Sequence, residues 1–153
     1  MNIGLSTAAF YGRWETEEAA EHLSDYGAAC SEVFLQTRGA MTAGFAADVR
    51  KRLNGIPCTS MHPKGTLFEN ELFGRSPRQR AEGWDAFQHA LDAAAELGAA
   101  YYVYHGWHSS AGNKIPFDAQ RNADVVGEMQ LRAAQRGIRI AWENVCLLYT
   151  SDA

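Results

Sequence analysis

Short apolar runs alternate along the chain with longer stretches in which apolar residues recur every three or four positions. Ile3-Gly4-Leu5-Ser6 reads as a first strand. A helix follows from Thr16, which is placed to cap it, with Glu17 and Glu18 in the first turn where the helix dipole favours carboxylates. Ala19, Ala20, Leu23 and Tyr26 form its apolar stripe and Gly27 stops it. Glu32-Val33-Phe34-Leu35 is the second strand. Phe45, Val49 and Leu53 line a second helix, ended by Asn54-Gly55, and Ile56 to Ser60 is the third strand. Trp84, Phe87, Leu91 and Ala94 mark a longer helix that Gly98 closes, and Tyr101-Tyr102-Val103-Tyr104 is the fourth strand. Val125, Met129 and Ala133 share one face of a helix over Asp124 to Gln135, and Ile138 to Trp142 is the fifth strand.

Strand and helix thus alternate four times before a last strand. Such alternation predicts parallel strands joined by crossover helices. Two architectures fit, a doubly wound open sheet and a (β/α)8 barrel. No Gly-rich phosphate loop follows the first strand, which holds Thr7-Ala8-Ala9-Phe10-Tyr11-Gly12 instead. That favours the barrel over a nucleotide-binding open sheet. A full barrel takes about 250 residues, and this chain has 153. The predicted fold is therefore α/β, a (β/α)8 TIM barrel truncated after the fifth strand.

Composition narrows the class. Apolar residues make up 46% and charged residues 21%, enough apolar chain for a packed core. A net charge of −4 leaves no basic footprint for nucleic acid, and no apolar run is long enough to span a bilayer. Cys30, Cys58 and Cys146 are too widely spaced for a disulfide framework or a zinc knuckle. With no signal-peptide pattern at Met1-Asn2-Ile3-Gly4, a soluble cytoplasmic protein is expected.

Barrel enzymes place their chemistry at the C-terminal ends of the strands. The third strand runs into Met61-His62-Pro63, the fourth into His105-Gly106-Trp107-His108 and the fifth into Glu143-Asn144. Imidazole and carboxylate are the usual ligands of zinc, manganese or iron. Adjacent parallel strands lie about 4.8 Å apart, so His62, His105 and Glu143 can converge on one ion without a short motif. Trp107 is a candidate to line a substrate pocket. Arg38 and Lys64 are candidates for an anionic substrate group, weighed against ordinary solvated loop cations. Glu32 opens the second strand and is expected at the opposite, stabilising end. His22 and His89 read as surface or packing residues on helices.

Asn2 to Thr7, Glu32 to Leu35, Ser60-Met61-His62-Pro63, Tyr102 to Gly106 and Trp142-Glu143-Asn144-Val145 occur in an order and spacing that resembles the xylose isomerase-like TIM-barrel superfamily. That group holds sugar phosphate isomerases/epimerases and the apurinic endonucleases of the endonuclease-four type. The resemblance covers residues 1 to about 145. It implies that Glu143 matches the metal-binding glutamate at the end of the fifth strand. It also implies that His62 and His105 match ligands of the endonuclease branch, or pocket-lining residues of the isomerase branch. The family's remaining Asp, His and Glu ligands, and the carboxylates that move the proton, belong to strands beyond this chain, so the catalytic residues stay unassigned.

The function implied is a metal-dependent sugar or sugar phosphate isomerase/epimerase, acting through an enediolate on a small-molecule sugar. Mn2+ is the first choice of divalent metal ion, with Zn2+, Co2+ and Mg2+ as alternatives. Neither a membrane nor nucleic acid is expected as partner. One alternative is a zinc-dependent apurinic endonuclease. The other is a non-catalytic fragment, because five strands of eight leave two edges unpaired. Residues 146–153, Cys146-Leu147-Leu148-Tyr149-Thr150-Ser151-Asp152-Ala153, resemble a translated sequencing adapter and are expected to be a non-native tail.

Overall fold

The computed structural model describes residues 3–64, 68–105 and 118–143. Among the described residues five strands form one sheet: β1 (Gly4–Ser6), β2 (Cys30–Leu35), β3 (Cys58–Pro63), β4 (Tyr101–Tyr104) and β5 (Arg139–Trp142). Their order is β1-β2-β3-β4-β5 and every neighbouring pair is parallel. A doubly wound sheet reverses its strand order part-way. This one advances in a single direction, which is the progression of a barrel wall.

The helices described, α1 (Thr16–His22), α2 (Ala43–Arg52), α3 (Pro77–Leu97) and α4 (Ala119–Ala134), supply the outer layer. Alternation within the strands separates two faces. Val33, Leu35, Met61, Tyr102 and Tyr104 are buried with Val49, Phe87, Leu91, Met129 and Ala133 of the helices. The Phe87 and Tyr102 rings meet edge to face at 5.4 Å. The other strand positions carry Ser6, Glu32, Ser60 and His62, none of them fully buried.

Several boundaries differ from the sequence pattern. Thr16 is the first helical residue of α1 and not its cap; Glu15 is the cap, and its backbone N–H donates to Glu18 Oε2 at 3.2 Å. The Thr16 hydroxyl does something else. It donates to Phe34 O at 2.7 Å, while Phe34 N donates to Thr7 Oγ1 at 2.8 Å. β1 pairs with β2 only as far as Ser6 and Glu32. Two buried threonine hydroxyls therefore complete the ladder where the edge strand has ended.

The stripe of α1 stops short of Tyr26, which is 56% exposed because the chain tightens into a 3-10 turn over Leu23–Tyr26. Gly27 ends that turn in the left-handed conformation, φ 71°. α4 starts earlier than the apolar pattern indicates, because the Asp118 side chain accepts from Arg121 N at 3.0 Å and fixes its first turn. β3 extends to Pro63, which puts His62 inside the strand.

A 3-10 turn over Glu69–Phe73 follows β3 and is held from several sides. Arg38 Nη2 donates to Glu71 Oε1 at 2.6 Å, Arg80 Nη1 donates to Gly74 O at 3.0 Å, and Arg121 also reaches Gly74 O. Gly83 of α3 lies against it: a Cβ there would stand 3.0 Å from both Glu71 Cβ and Leu72 N. A Gly83→Ala substitution should therefore lower stability by about 1–3 kcal/mol through overpacking against backbone. Helix propensity alone would give a gain of about 1 kcal/mol. Gly127 of α4 has nothing within 4 Å of such a Cβ, so Gly127→Ala should stabilise. Urea denaturation of the two variants checks the opposite signs.

Candidate metal centre

β3, the residue after β4 and the residue after β5 each deliver one donor to a common point. His62, His105 and Glu143 each offer an atom within 4.8 Å of the others. His62 Nε2 lies 2.9 Å from His105 Nε2, and Glu143 Oε2 lies 3.7 Å from the first and 3.8 Å from the second. Two ligands each about 2.1 Å from one ion stand about 3.0 to 3.4 Å apart at right-angle to tetrahedral geometry. The three separations lie within a few tenths of an ångström of that range. Two imidazoles and one carboxylate form a donor set that suits a divalent ion, and the residues present fit such a group.

Each imidazole has a carboxylate on its other nitrogen. His62 Nδ1 is 3.6 Å from Glu32 Oε1, and His105 Nδ1 is 3.3 Å from Glu69 Oε2. The Ser6 hydroxyl donates to Glu32 Oε1 at 2.8 Å and the Ser60 hydroxyl donates to Glu32 Oε2 at 3.2 Å. These contacts follow from register, since Glu32 pairs with Ser6 of β1 and Ser60 of β3. The histidine beside it and the two hydroxyls hold the Glu32 carboxyl below its ordinary ionisation range, against the opposing effect of burial. Glu32 is thus a mid-strand residue that contacts the site, and its expected place at the far end of the strand is corrected. The strand begins two residues earlier than the apolar run, at Cys30, and this moves Glu32 toward its middle.

Glu69 went unnoticed in the sequence. It is 0% exposed. Burial pushes its carboxyl above the ordinary range, and the His105 imidazole works against that. Glu69 in turn raises the His105 imidazole. The buried hydroxyls of Tyr102 and Tyr104 are raised by burial first and by the charge of Glu69 second. The only available signal was two glutamates, Glu69 and Glu71, between Phe68 and Leu72-Phe73, which does not reveal which one is buried or what it meets.

The remaining candidates lie apart from this cluster. Arg38 is paired with Glu71. Lys64 Nζ donates to Tyr11 Oη at 3.1 Å. The Tyr11 ring meets Phe34 edge-on at 5.8 Å, and Phe34 meets His62 edge-on at 5.4 Å, so Lys64 connects to the site through two aromatic rings. Trp107 and residues 146–153 lie outside the described residues. His22 stacks on Trp14 at 4.3 Å and His89 lies 3.6 Å from Asp85, both away from the site.

No protein-family model and no curated protein matches the sequence. Solved structures do. A Sinorhizobium meliloti protein superposes with a TM-score of 0.73 at 22% identity, over 97% of this chain and 52% of its own. A D-psicose 3-epimerase from Clostridium cellulolyticum gives 0.70 at 18% identity, over 92% and 51%. The 3-keto-D-glucoside 4-epimerase of E. coli gives 0.65 at 18% identity, over 93% and 55%. Over its described residues the chain shares the fold of these solved structures, parallel strands joined by helices. It spans about half the length of the solved structures it matches, and among the described residues no helix is long and apolar enough to cross a membrane.

The serine–glutamate–serine bridge yields a second test. Ser6→Ala and Ser60→Ala should each cost about 1 kcal/mol, because each removes a donor from a partly buried carboxylate. The double variant should depart from additivity, since both hydroxyls serve one group. Equilibrium unfolding of the four proteins of the cycle reads both effects.

Proposed function

We propose that this chain supplies part of the metal site of a metal-dependent sugar or sugar phosphate isomerase/epimerase. The observation that carries the reading is the convergence of His62 Nε2, His105 Nε2 and Glu143 Oε2 at the strand ends of this fold. Those three residues would hold a divalent ion, Mn2+ in the first instance. Such an ion, when bound, is a Lewis acid that steadies the enediolate formed as a proton leaves the carbon beside a carbonyl.

The other residues have separate work. Glu32 and Glu69 hold the two imidazoles in place. Phe34 stands edge-on to His62 and Tyr11 edge-on to Phe34, so two aromatic rings line that side of the imidazole. Lys64 Nζ and Tyr11 Oη present donors to substrate hydroxyl or phosphate oxygens. Binding of the substrate's anionic or polar end there would orient its carbonyl end toward the histidines. The three ligands of this chain would leave coordination positions open for further protein ligands and for substrate oxygens.

A second reading draws on the pair of imidazoles: phosphodiester hydrolysis at an abasic site with Zn2+. The carboxylates Glu32 and Glu69 behind the histidines and the net charge of −4 weigh against a polyanionic substrate.

The test is a titration of the full chain with MnCl2, followed by thermal melting. A ligand at 100 times its Kd stabilises the folded state by about 2.7 kcal/mol, so a rise in Tm is expected. Glu143→Gln, His62→Ala and His105→Ala should each remove most of it. D-fructose as a probe should bind more tightly with the ion present than after chelation, by linkage. No Mn2+ response in the wild-type chain would overturn the reading. A Zn2+-only response, with cleavage of an abasic duplex and no sugar effect, would favour the second.

A further inference from the structure

The His105 ring is flanked by an imidazole nitrogen on one side and a carboxylate on the other. Its Nε2 stands 2.9 Å from His62 Nε2, and its Nδ1 stands 3.3 Å from Glu69 Oε2. Once ionised, the Glu69 carboxylate can only accept, so the ring nitrogen that faces it is favoured as the N–H. The lone pair of the ring is then committed to Nε2. We propose that Glu69 is a positioning residue: it fixes His105 as the Nδ1–H tautomer and aims Nε2 at the point shared with His62 and Glu143.

Three observations make this more than a chance contact. Glu69 is fully buried, and a carboxylate is costly to bury unless a specific partner meets it. Among the described residues its second oxygen, Oε1, has no hydrogen-bond partner, while Oε2 faces His105 Nδ1. The turn that carries it is fixed by backbone packing against Gly83 and by arginines 38, 80 and 121. The position of Glu69 is thereby set before any ligand arrives, as outer supports of a binding site must be.

The consequence for affinity rests on the metal-site reading above; the tautomer does not. Carboxylates behind metal-binding histidines are worth about 10- to 100-fold in metal affinity. Glu69→Gln keeps the shape but gives an amide that can donate as well as accept. It should weaken Mn2+ or Zn2+ binding by about that factor, measured by competition with a chromogenic chelator. Glu69→Asp should restore part of the loss, and Glu82→Gln, on the exposed side of α3, should change nothing.

The second measurement needs no metal. Long-range 1H–15N correlation spectra of the chelator-treated, histidine-labelled full chain are recorded near pH 9, where imidazoles are about fully neutral. His105 should show a protonated Nδ1 and a bare Nε2. Glu69→Gln should shift the population toward the Nε2–H form. A wild-type His105 with its proton on Nε2 overturns the proposal, whether or not the variant folds. So does a folded Glu69→Gln chain with unchanged metal affinity and tautomer. If the wild type binds no ion yet His105 is the Nδ1–H form and responds to Glu69→Gln, the positioning role stands and the metal-site reading falls.

Discussion

A charge taken out of water must find compensation within a few ångströms, and three carboxylates lie around two imidazoles at one end of this sheet. Glu32, Glu69 and Glu143 all stand within 4 Å of a histidine nitrogen. Much of the local structure follows from that requirement. Ser6 and Ser60 occupy the two register positions beside Glu32, and both are hydroxyl donors. Apolar residues there would leave the carboxylate with the histidine alone, and the strand pairing on both sides would carry the cost. The same logic explains why the turn after β3 is so firmly held. A buried glutamate can act on a chosen nitrogen only if its backbone cannot drift.

Strand order then turns local chemistry into a site. Each of the five strands lies beside its predecessor and all point the same way, so their C-terminal ends form one rim. His62, His105 and Glu143 come from three consecutive strands of that rim, separated by 43 and 38 residues in sequence but by less than 4.8 Å in space. The helices keep those ends aligned without entering the site. Their apolar stripes pack on the opposite face, against Val33, Leu35, Met61 and Tyr102. Function and stability are thus divided between the two faces of one sheet, and the alternation of side chains along each strand is the only device needed.

That division also sets what could be read from the chain alone. The helix stripes, the strand order and the convergence of His62, His105 and Glu143 were legible, because periodicity fixes faces and a parallel barrel fixes which ends meet. Glu32 was misplaced because its strand begins with Cys30-Ser31, residues that carry no β signal, so two residues of strand were lost and the carboxylate moved to the wrong end. Thr16 was misread because a threonine before two glutamates looks like a helix cap; its hydroxyl instead serves the backbone of β2, a tertiary bond that local pattern cannot contain. Glu69 was invisible for the same reason. It follows β3 by six residues, in a turn whose packing depends on α3, α4 and the segment after β2 together.

The two Nε2 atoms at 2.9 Å bring these strands of argument together. If a carboxylate claims the Nδ1–H of each ring, both facing nitrogens are lone-pair acceptors, and two acceptors at that distance repel. Only a positive charge, or a proton shared between them, makes the arrangement favourable. The carboxylates therefore do not merely steady the histidines. With Nδ1–H facing Glu69, the His105 Nε2 that meets His62 would be bare, and the proposed tautomer would leave the pair suited to a shared proton or a cation. Glu143 adds a negative charge on the same side, 3.7 and 3.8 Å away. On the proposed reading the centre is built from the outside in: two serines hold Glu32 beside His62, Glu69 sets the His105 tautomer, and the bare nitrogen, with Glu143, sets the charge that the centre would accept.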